Sequence, residues 1–157
     1  MRVRVVAVGR VRGALAEVVR DYEARAARYW KLEVIEVPDG ARGRGGAAPA
    51  QVLDAEAGRI LAKLPADLDV VALTRLGEGL GSRELAEYLE RLGTHAAPGV
   101  GFVIGGAFGL GEAVLARARR RLSLSMMTLP HEMARAVLAE QLYRAGTIVR
   151  GEPYHKG

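Results

Sequence analysis

The sequence predicts an α/β fold with a mainly parallel sheet flanked by helices, in a single domain spanning residues 1–157. Three observations predict it. First, short β-branched runs alternate with amphipathic stretches in the order β-α-β-α-β-α-β-α-β-α, and parallel strands need such crossover helices between them. Second, the interior of the third strand, Val70 to Leu73, is uniformly apolar, as a strand covered on both faces is. Third, a length of 157 residues is that of one domain, and no repeat, linker or composition break divides it.

The first strand runs from Arg2 to Gly9, with Val3, Val5 and Ala7 alternating against Arg2, Arg4 and Val6. Residues 13 to 30 follow as an amphipathic helix: Leu15, Val18, Val19, Tyr22, Ala26 and Tyr29 recur at helical spacing, and Trp30 ends it. Tyr22, Tyr29 and Trp30 read as packing residues. Leu32 to Val37 is the second strand, stopped by Pro38. Asp39 to Pro49 is a glycine-rich basic loop. It lacks the Gly-Lys-Ser/Thr of a nucleotide-binding P-loop, which leaves a surface loop or a phosphate contact through Arg42 and Arg44.

Residues 50 to 63 form a helix with Val52, Leu53, Ile60 and Leu61 inward, and Asp69 to Thr74 forms the third strand. A loop from Arg75 to Gly81 follows, and Ser82 reads as the N-cap of a helix from Arg83 to Leu92. The fourth strand, Val100 to Ile104, ends in the glycine cluster Gly105, Gly106, Gly109 and Gly111. A short helix leads to a fifth strand over Leu122 to Thr128, and after Pro130 a long helix closes the order. Met133, Val137, Leu138, Leu142, Ala145, Ile148 and Val149 give that helix a wide apolar arc, more than a small monomer buries, which suggests an interface between subunits.

Composition excludes several chemistries. There is no cysteine, so disulfides, thiolate nucleophiles and cysteine metal sites are out, and His95, His131 and His155 are too scattered for metal-ligand spacing. No stretch approaches the roughly 20 apolar residues of a membrane helix. The alternating start reads as a strand and not as a signal peptide, which predicts a cytoplasmic protein without a membrane partner. Net charge is +5, with both ends basic and the middle acidic, a balance that suits a polyanionic partner such as nucleic acid. Part of the excess sits in Arg117, Arg119, Arg120 and Arg121, read as a charged helix end.

The chemistry concentrates between Val100 and Glu140. A strand that ends in glycines lets backbone groups approach a ligand closely. Gly105 to Gly111 is not a dinucleotide fingerprint, because no acidic residue stands about 20 positions on. Three strand ends, at Leu73-Thr74, Ile104-Gly105-Gly106 and Leu124 to Thr128, would instead form a pocket at the carboxyl edge of the sheet. In the last of these, serines alternate with Leu122, Leu124 and Met126. That pattern suits a flat, partly polar ligand or, equally, plain core.

The segments FVIGGxxGL (Phe102–Leu110), LSLSxMTLPH (Leu122–His131), LAEQLYRA (Leu138–Ala145) and PYHK (Pro153–Lys156) resemble the RlmH family of SPOUT-class methyltransferases. The segment VRVVAVG at Val3–Gly9 and the spacing VxxLxxxG around Leu73 agree, and the resemblance spans the whole chain in register. It implies a trefoil knot in the C-terminal part, a homodimer, and an S-adenosyl-L-methionine pocket formed by Leu73, Gly105, Gly106, Leu124, Ser125, Met126, Met127, Thr128 and Leu129. It further implies methyl transfer to N3 of a pseudouridine in the helix 69 loop of 23S rRNA on assembled ribosomes, without a metal. Within this resemblance His155 is the candidate base, since imidazole titrates near neutral pH. Tyr154 would stack on or hydrogen-bond the base, and Arg144 would bind a phosphate or orient the target. His131 reads first as a capping or packing residue.

The sequence departs from the family pattern in four places. Ala107 and Phe108 replace a proline and an acid, Thr74 replaces an aspartate, Gly146 replaces a tryptophan, and the acidic last residue is missing. Two other classes fit the composition: a non-catalytic ribosome-associated RNA-binding protein, and a Rossmann-like enzyme acting on a small molecule.

Overall fold

The computed structural model describes residues 1–40 and 48–156. Arg42 and Arg44, the predicted phosphate contacts, lie outside the described residues. The chain alternates β1 (Arg2–Val8), α1 (Ala14–Ala26), β2 (Lys31–Val37), α2 (Pro49–Leu61), β3 (Asp69–Gly79), α3 (Ser82–Thr94), β4 (Gly99–Ile104), α4 (Glu112–Arg117), β5 (Arg120–Ser123) and α5 (His131–Val149). A single 3-10 turn over Pro153–His155 follows α5.

The strands form one five-stranded sheet in the order β2-β1-β4-β3-β5, and every pairing is parallel. The predicted alternation of β1 decides the layering. Val3, Val5 and Ala7 join Phe102, Leu89, Leu138 and Leu142 under α1, α3 and α5, while Val6 and Val8 join Ile60, Val103 and Val114 under α2 and α4. Val70, Val71 and Ala72 of β3 are fully buried, as uniformly apolar interior strands require. Trp30 closes the first layer by donating its indole N–H to the Leu142 carbonyl at 2.8 Å, so its predicted packing role holds.

The structure corrects four local expectations. Strand β3 runs on to Gly79 where a loop was expected from Arg75. Leu73 and Glu78 both pair with Leu122, so Thr74 to Gly77 bulge out between them. Gly77 makes this possible, since a Cβ there would lie 2.6 Å from the Arg121 backbone.

Strand β5 begins at Arg120 and ends at Ser123, not Thr128. Beyond it the serines turn the chain out of the sheet. The Ser123 hydroxyl donates to the Ser125 carbonyl at 2.8 Å, and the Met127 N–H donates to the Ser125 hydroxyl at 2.9 Å. Such local bonds compete with a strand ladder. At α3 the N-cap is Gly81, whose N–H donates to Glu84, while the Ser82 hydroxyl donates to Gln141 at 2.6 Å.

Of the arginine run only Arg117 ends a helix, since Arg119 follows α4 and Arg120 and Arg121 belong to β5. Arg117 donates to the carbonyls of Pro65, Ala66 and Leu68. Arg120, in β5, stacks on Tyr88 at 4.3 Å and pairs with Glu78.

Candidate active site

The carboxyl ends of β1 and β4 and the bulge of β3 open onto one cleft of about 990 Å³, roofed by the segment from Leu124 to Ala134. This volume lies within the range of small-molecule sites. Of the residues predicted to hold a ligand, Leu73, Gly105, Gly106, Leu124, Ser125, Met127, Thr128 and Leu129 line it. Met126 does not: it is 91% exposed and points away. Met127 is also largely exposed, so the reading of Met126 and Met127 as plain core is wrong. The hydroxyl of Ser125 is committed to the turn, which presets the loop from Leu124 to Leu129.

The glycine loop is shaped by what a side chain would strike. A Cβ on Gly105 would lie 2.4 Å from the Gly109 carbonyl oxygen, and Gly109 takes a positive φ of 77°. The Gly109 N–H donates to the Gly106 carbonyl at 3.1 Å, closing the turn. The loop thereby offers backbone, not side chains, to a ligand. Leu73, Ile104, Leu110 and Leu124 supply apolar walls.

Phe108, which could wall a pocket in place of the family's acid, does line the cleft, whereas Val8, Gly9, Arg75, Leu76 and His131 were missed from the sequence. The first strand, like the fourth, ends in a glycine, and that signal was available. Gly9 takes a φ of 84°, and a Cβ on it would lie 3.1 Å from the imidazole of His131. His131 thus lies at the cleft edge as the first residue of α5, 3.9 Å from Glu132, and does not cap the helix, whose N-cap is Pro130.

Tyr154, His155 and Arg144 form a second cluster that does not line the cleft of the same chain. The Tyr154 hydroxyl donates to Glu140 at 3.1 Å, and Arg144 reaches the same oxygen at 2.6 Å. The Tyr154 ring lies 4.5 Å from that of Tyr143 and 4.9 Å from the Arg144 guanidinium. Burial and the neighbouring Glu140 carboxylate push the Tyr154 phenol up to about 12. His155 Nδ1 is buried without a hydrogen-bond partner among the described residues.

The departure at Gly146 has a local cause. The Tyr29 ring lies on this glycine, and a Cβ there would sit 2.4 Å from Tyr29 Cγ. Tyr29 therefore occupies the space next to the helix that a larger residue at 146 would need. Among the described residues, no group of three or more His, Cys, Asp or Glu could hold a metal, and no helix is long and apolar enough to cross a membrane.

A parallel sheet with a glycine-lined cleft at its carboxyl edge defines the class. The family described as "Predicted SPOUT methyltransferase" matches residues 1–155, and the chain belongs to it. Among curated proteins it is similar to "Ribosomal RNA large subunit methyltransferase H" of Gemmatimonas aurantiaca, at 55% identity over 99% of this chain and 100% of the relative. The protein of the same name from Rubrobacter xylanophilus is 52% identical over 98% of each chain. That from Listeria monocytogenes is 45% identical over 99% of this chain and 100% of the relative.

Among solved structures, a probable methyltransferase from Bordetella pertussis shares the fold. Its TM-score is 0.57 and its identity 20%, with 92% of this chain and 95% of that one covered. A methyltransferase structure from Legionella pneumophila, with the cofactor SAM bound, has a TM-score of 0.51 at 12% identity, covering 92% of this chain and 66% of that one.

Proposed function

We propose that the protein is an S-adenosyl-L-methionine-dependent methyltransferase of large-subunit ribosomal RNA, acting on N3 of a pseudouridine in the helix 69 loop of 23S rRNA on assembled ribosomes. The observation that carries the reading is one cleft lined by eight of the nine residues that the family resemblance assigned to the cofactor, in a chain 55% identical to a protein named for this activity. The cleft fits the cofactor chemically. Its apolar walls suit an adenine ring, and its bare glycine backbone suits the ring edge and ribose.

The sulfonium supplies an activated methyl group, and the chain supplies position. Leu73, Leu124 and Leu129 exclude water from the cleft. Gly105 and Gly106 let the loop fold tightly against Gly109, Val8 and Glu56, so that it presents backbone to the ligand. N3 of the target must lose its proton as the new bond forms, and a ring nitrogen of His155 takes it. Tyr154 stacks on or hydrogen-bonds the base, and Arg144 holds a phosphate or orients the target.

Because His155, Tyr154 and Arg144 lie outside the cleft of their own chain, this reading has a homodimer in which one protomer's tail completes its partner's cleft. Leu76, Phe108 and Met127 support it: these exposed apolar side chains line the cleft, and Met126 beside them is exposed as well, the pattern of an interface. The reading includes a trefoil knot in the C-terminal part and a cytoplasmic protein working on ribosomes.

Methyl transfer from labelled S-adenosylmethionine to ribosomes lacking the modification tests it, with His155→Ala alongside. Label in large-subunit rRNA from wild type, strongly reduced in the variant, is the expected result. Absence of label on ribosomes and free rRNA, with no cofactor binding by calorimetry, would overturn the enzyme reading in favour of a non-catalytic RNA-binding protein.

A further inference from the structure

Glu56, on α2, is a buried acid that the chemistry above does not use. It is 2% exposed. Its Oε2 accepts the Gly40 N–H at 2.9 Å, and its Oε1 has no hydrogen-bond partner among the described residues. Isolated burial of a carboxyl is costly, so a single backbone bond at this depth marks a constraint on position.

What the carboxyl touches is the underside of the cleft. Gly40 follows Asp39, which lines the cleft beyond β2. A Cβ on Gly106, which lines the cleft beyond β4, would lie 3.1 Å from Glu56 Oε2 and 3.4 Å from Oε1. Arg59, three residues on and so on the same face of α2, donates to the carbonyls of Pro38 and Asp39 at 3.0 and 2.9 Å. Helix α2 thus grips Pro38, Asp39 and Gly40 at three backbone atoms. The fit is close, since a Cβ on Gly40 would strike the Val52 carbonyl oxygen of the same helix at 2.3 Å. Burial pushes the Glu56 carboxyl above the usual carboxylate range, opposed by the bond from Gly40.

We propose that Glu56 is a positioning residue for the cofactor cleft, acting by fixing the strand-end backbone at Gly40 and Gly106 from beneath. This rests on the cleft being the S-adenosylmethionine site. The part of the carboxyl that matters is the acceptor at Gly40, not its charge. An amide of the same shape keeps that acceptor, whereas a side chain one methylene shorter withdraws it from both loops.

The test compares wild type, Glu56→Gln, Glu56→Asp and Glu56→Ala as full chains. S-adenosylmethionine affinity is measured by calorimetry, folding by circular dichroism, and methyl transfer to unmodified ribosomes by label. Glu56→Asp is expected to bind about tenfold more weakly, the upper scale of one hydrogen bond. Its KM for the cofactor should rise while kcat at saturation holds, because Glu56 meets no reacting atom. Glu56→Gln should bind within about twofold of wild type.

Glu56→Asp keeps the test valid if Glu56→Ala fails to fold. Wild-type affinity in folded Glu56→Asp would overturn the proposal, and so would equal losses in Glu56→Gln and Glu56→Asp. A wild type that binds no cofactor would instead overturn the methyltransferase reading, and the two failures are told apart by that arm alone.

Discussion

Replacing Gly146 by alanine tests how the tail is held. In a helix interior this change alone stabilises by about 0.5–1 kcal/mol, because glycine loses more backbone freedom on folding. Here the added Cβ would lie 2.4 Å from Tyr29 Cγ, 2.6 Å from its Cβ and 2.8 Å from Cδ2. Carbon atoms in contact prefer about 3.5–4.0 Å, so ring or helix must move by about 1 Å. The ring is not free to go. Its hydroxyl donates to Glu152 at 2.5 Å, and Arg150 covers its face at 4.6 Å. Overpacking of this kind costs about 1–3 kcal/mol.

Net of the helix gain, Gly146→Ala should destabilise by about 1 kcal/mol. That lowers the midpoint of thermal unfolding by about 2–4 °C for a chain of this size. The assay is a double-mutant cycle with Tyr29→Ala, followed by circular dichroism at fixed protein concentration. In the Tyr29→Ala background the same glycine substitution should become neutral or stabilising. A higher midpoint for Gly146→Ala in the wild-type background would refute the argument, since helix propensity would then have won over the contact.

The remaining predictions address the tail, the glycine loop and the cleft rim. The Tyr154 phenol is raised from 10.0 to about 12 in the folded chain, first by burial and then by Glu140. Its contribution to stability is therefore complete below pH 10 and is lost as pH rises through about 12, because the unfolded chain ionises first. Phenolate absorbance against pH should show this late titration, and in Glu140→Ala the Tyr154 titration should move back toward 10. Gly105→Ala forces a Cβ to within 2.4 Å of the Gly109 carbonyl oxygen; calorimetry should show S-adenosylmethionine affinity falling at least about tenfold, and unchanged affinity would remove this loop from the pocket. Met126→Asp places a charge at a position 91% exposed in the single chain; light scattering should show a shift from dimer to monomer, while an unmoved mass would exclude Met126 from the interface.

The layering of the fold was legible because it follows from periodicity. The alternation of Val3, Val5 and Ala7 against Val6 and Val8 assigns each residue to one of the two apolar layers that the sheet separates. The uniformly apolar stretch at Val70 to Leu73 announced a strand with helices on both sides. Three glycine-ended or hydroxyl-ended strand tips were enough to place most of the cleft, since parallel strands present their carboxyl ends on one edge.

What escaped the sequence lies where contacts between distant residues override the local pattern. Leu122 to Thr128 reads as one alternating strand, yet two serine hydroxyls bend it outward after Ser123, turning Met126 to solvent. No period in the sequence distinguishes a serine that faces a ligand from one that satisfies its own backbone. Arg117, Arg119, Arg120 and Arg121 read as one charged helix end because basic residues suit the last turn of a helix. In the fold its members divide among carbonyls at Pro65 to Leu68, the face of Tyr88 and the carboxylate of Glu78.

Glu56 is the sharpest case. A glutamate on an amphipathic helix is ordinarily a solvated residue. Only the register of α2 beneath two strand ends buries this one, with Gly40 and Gly106 both bare enough to admit it. The glycines carried the signal, but as pairwise complements to a side chain 16 positions from Gly40 and 50 from Gly106 they are readable only once the sheet order is known. The same holds for Tyr29 and Gly146. A departure from a family pattern at one position was visible in the sequence, whereas the ring that accounts for it enters from the other end of the chain.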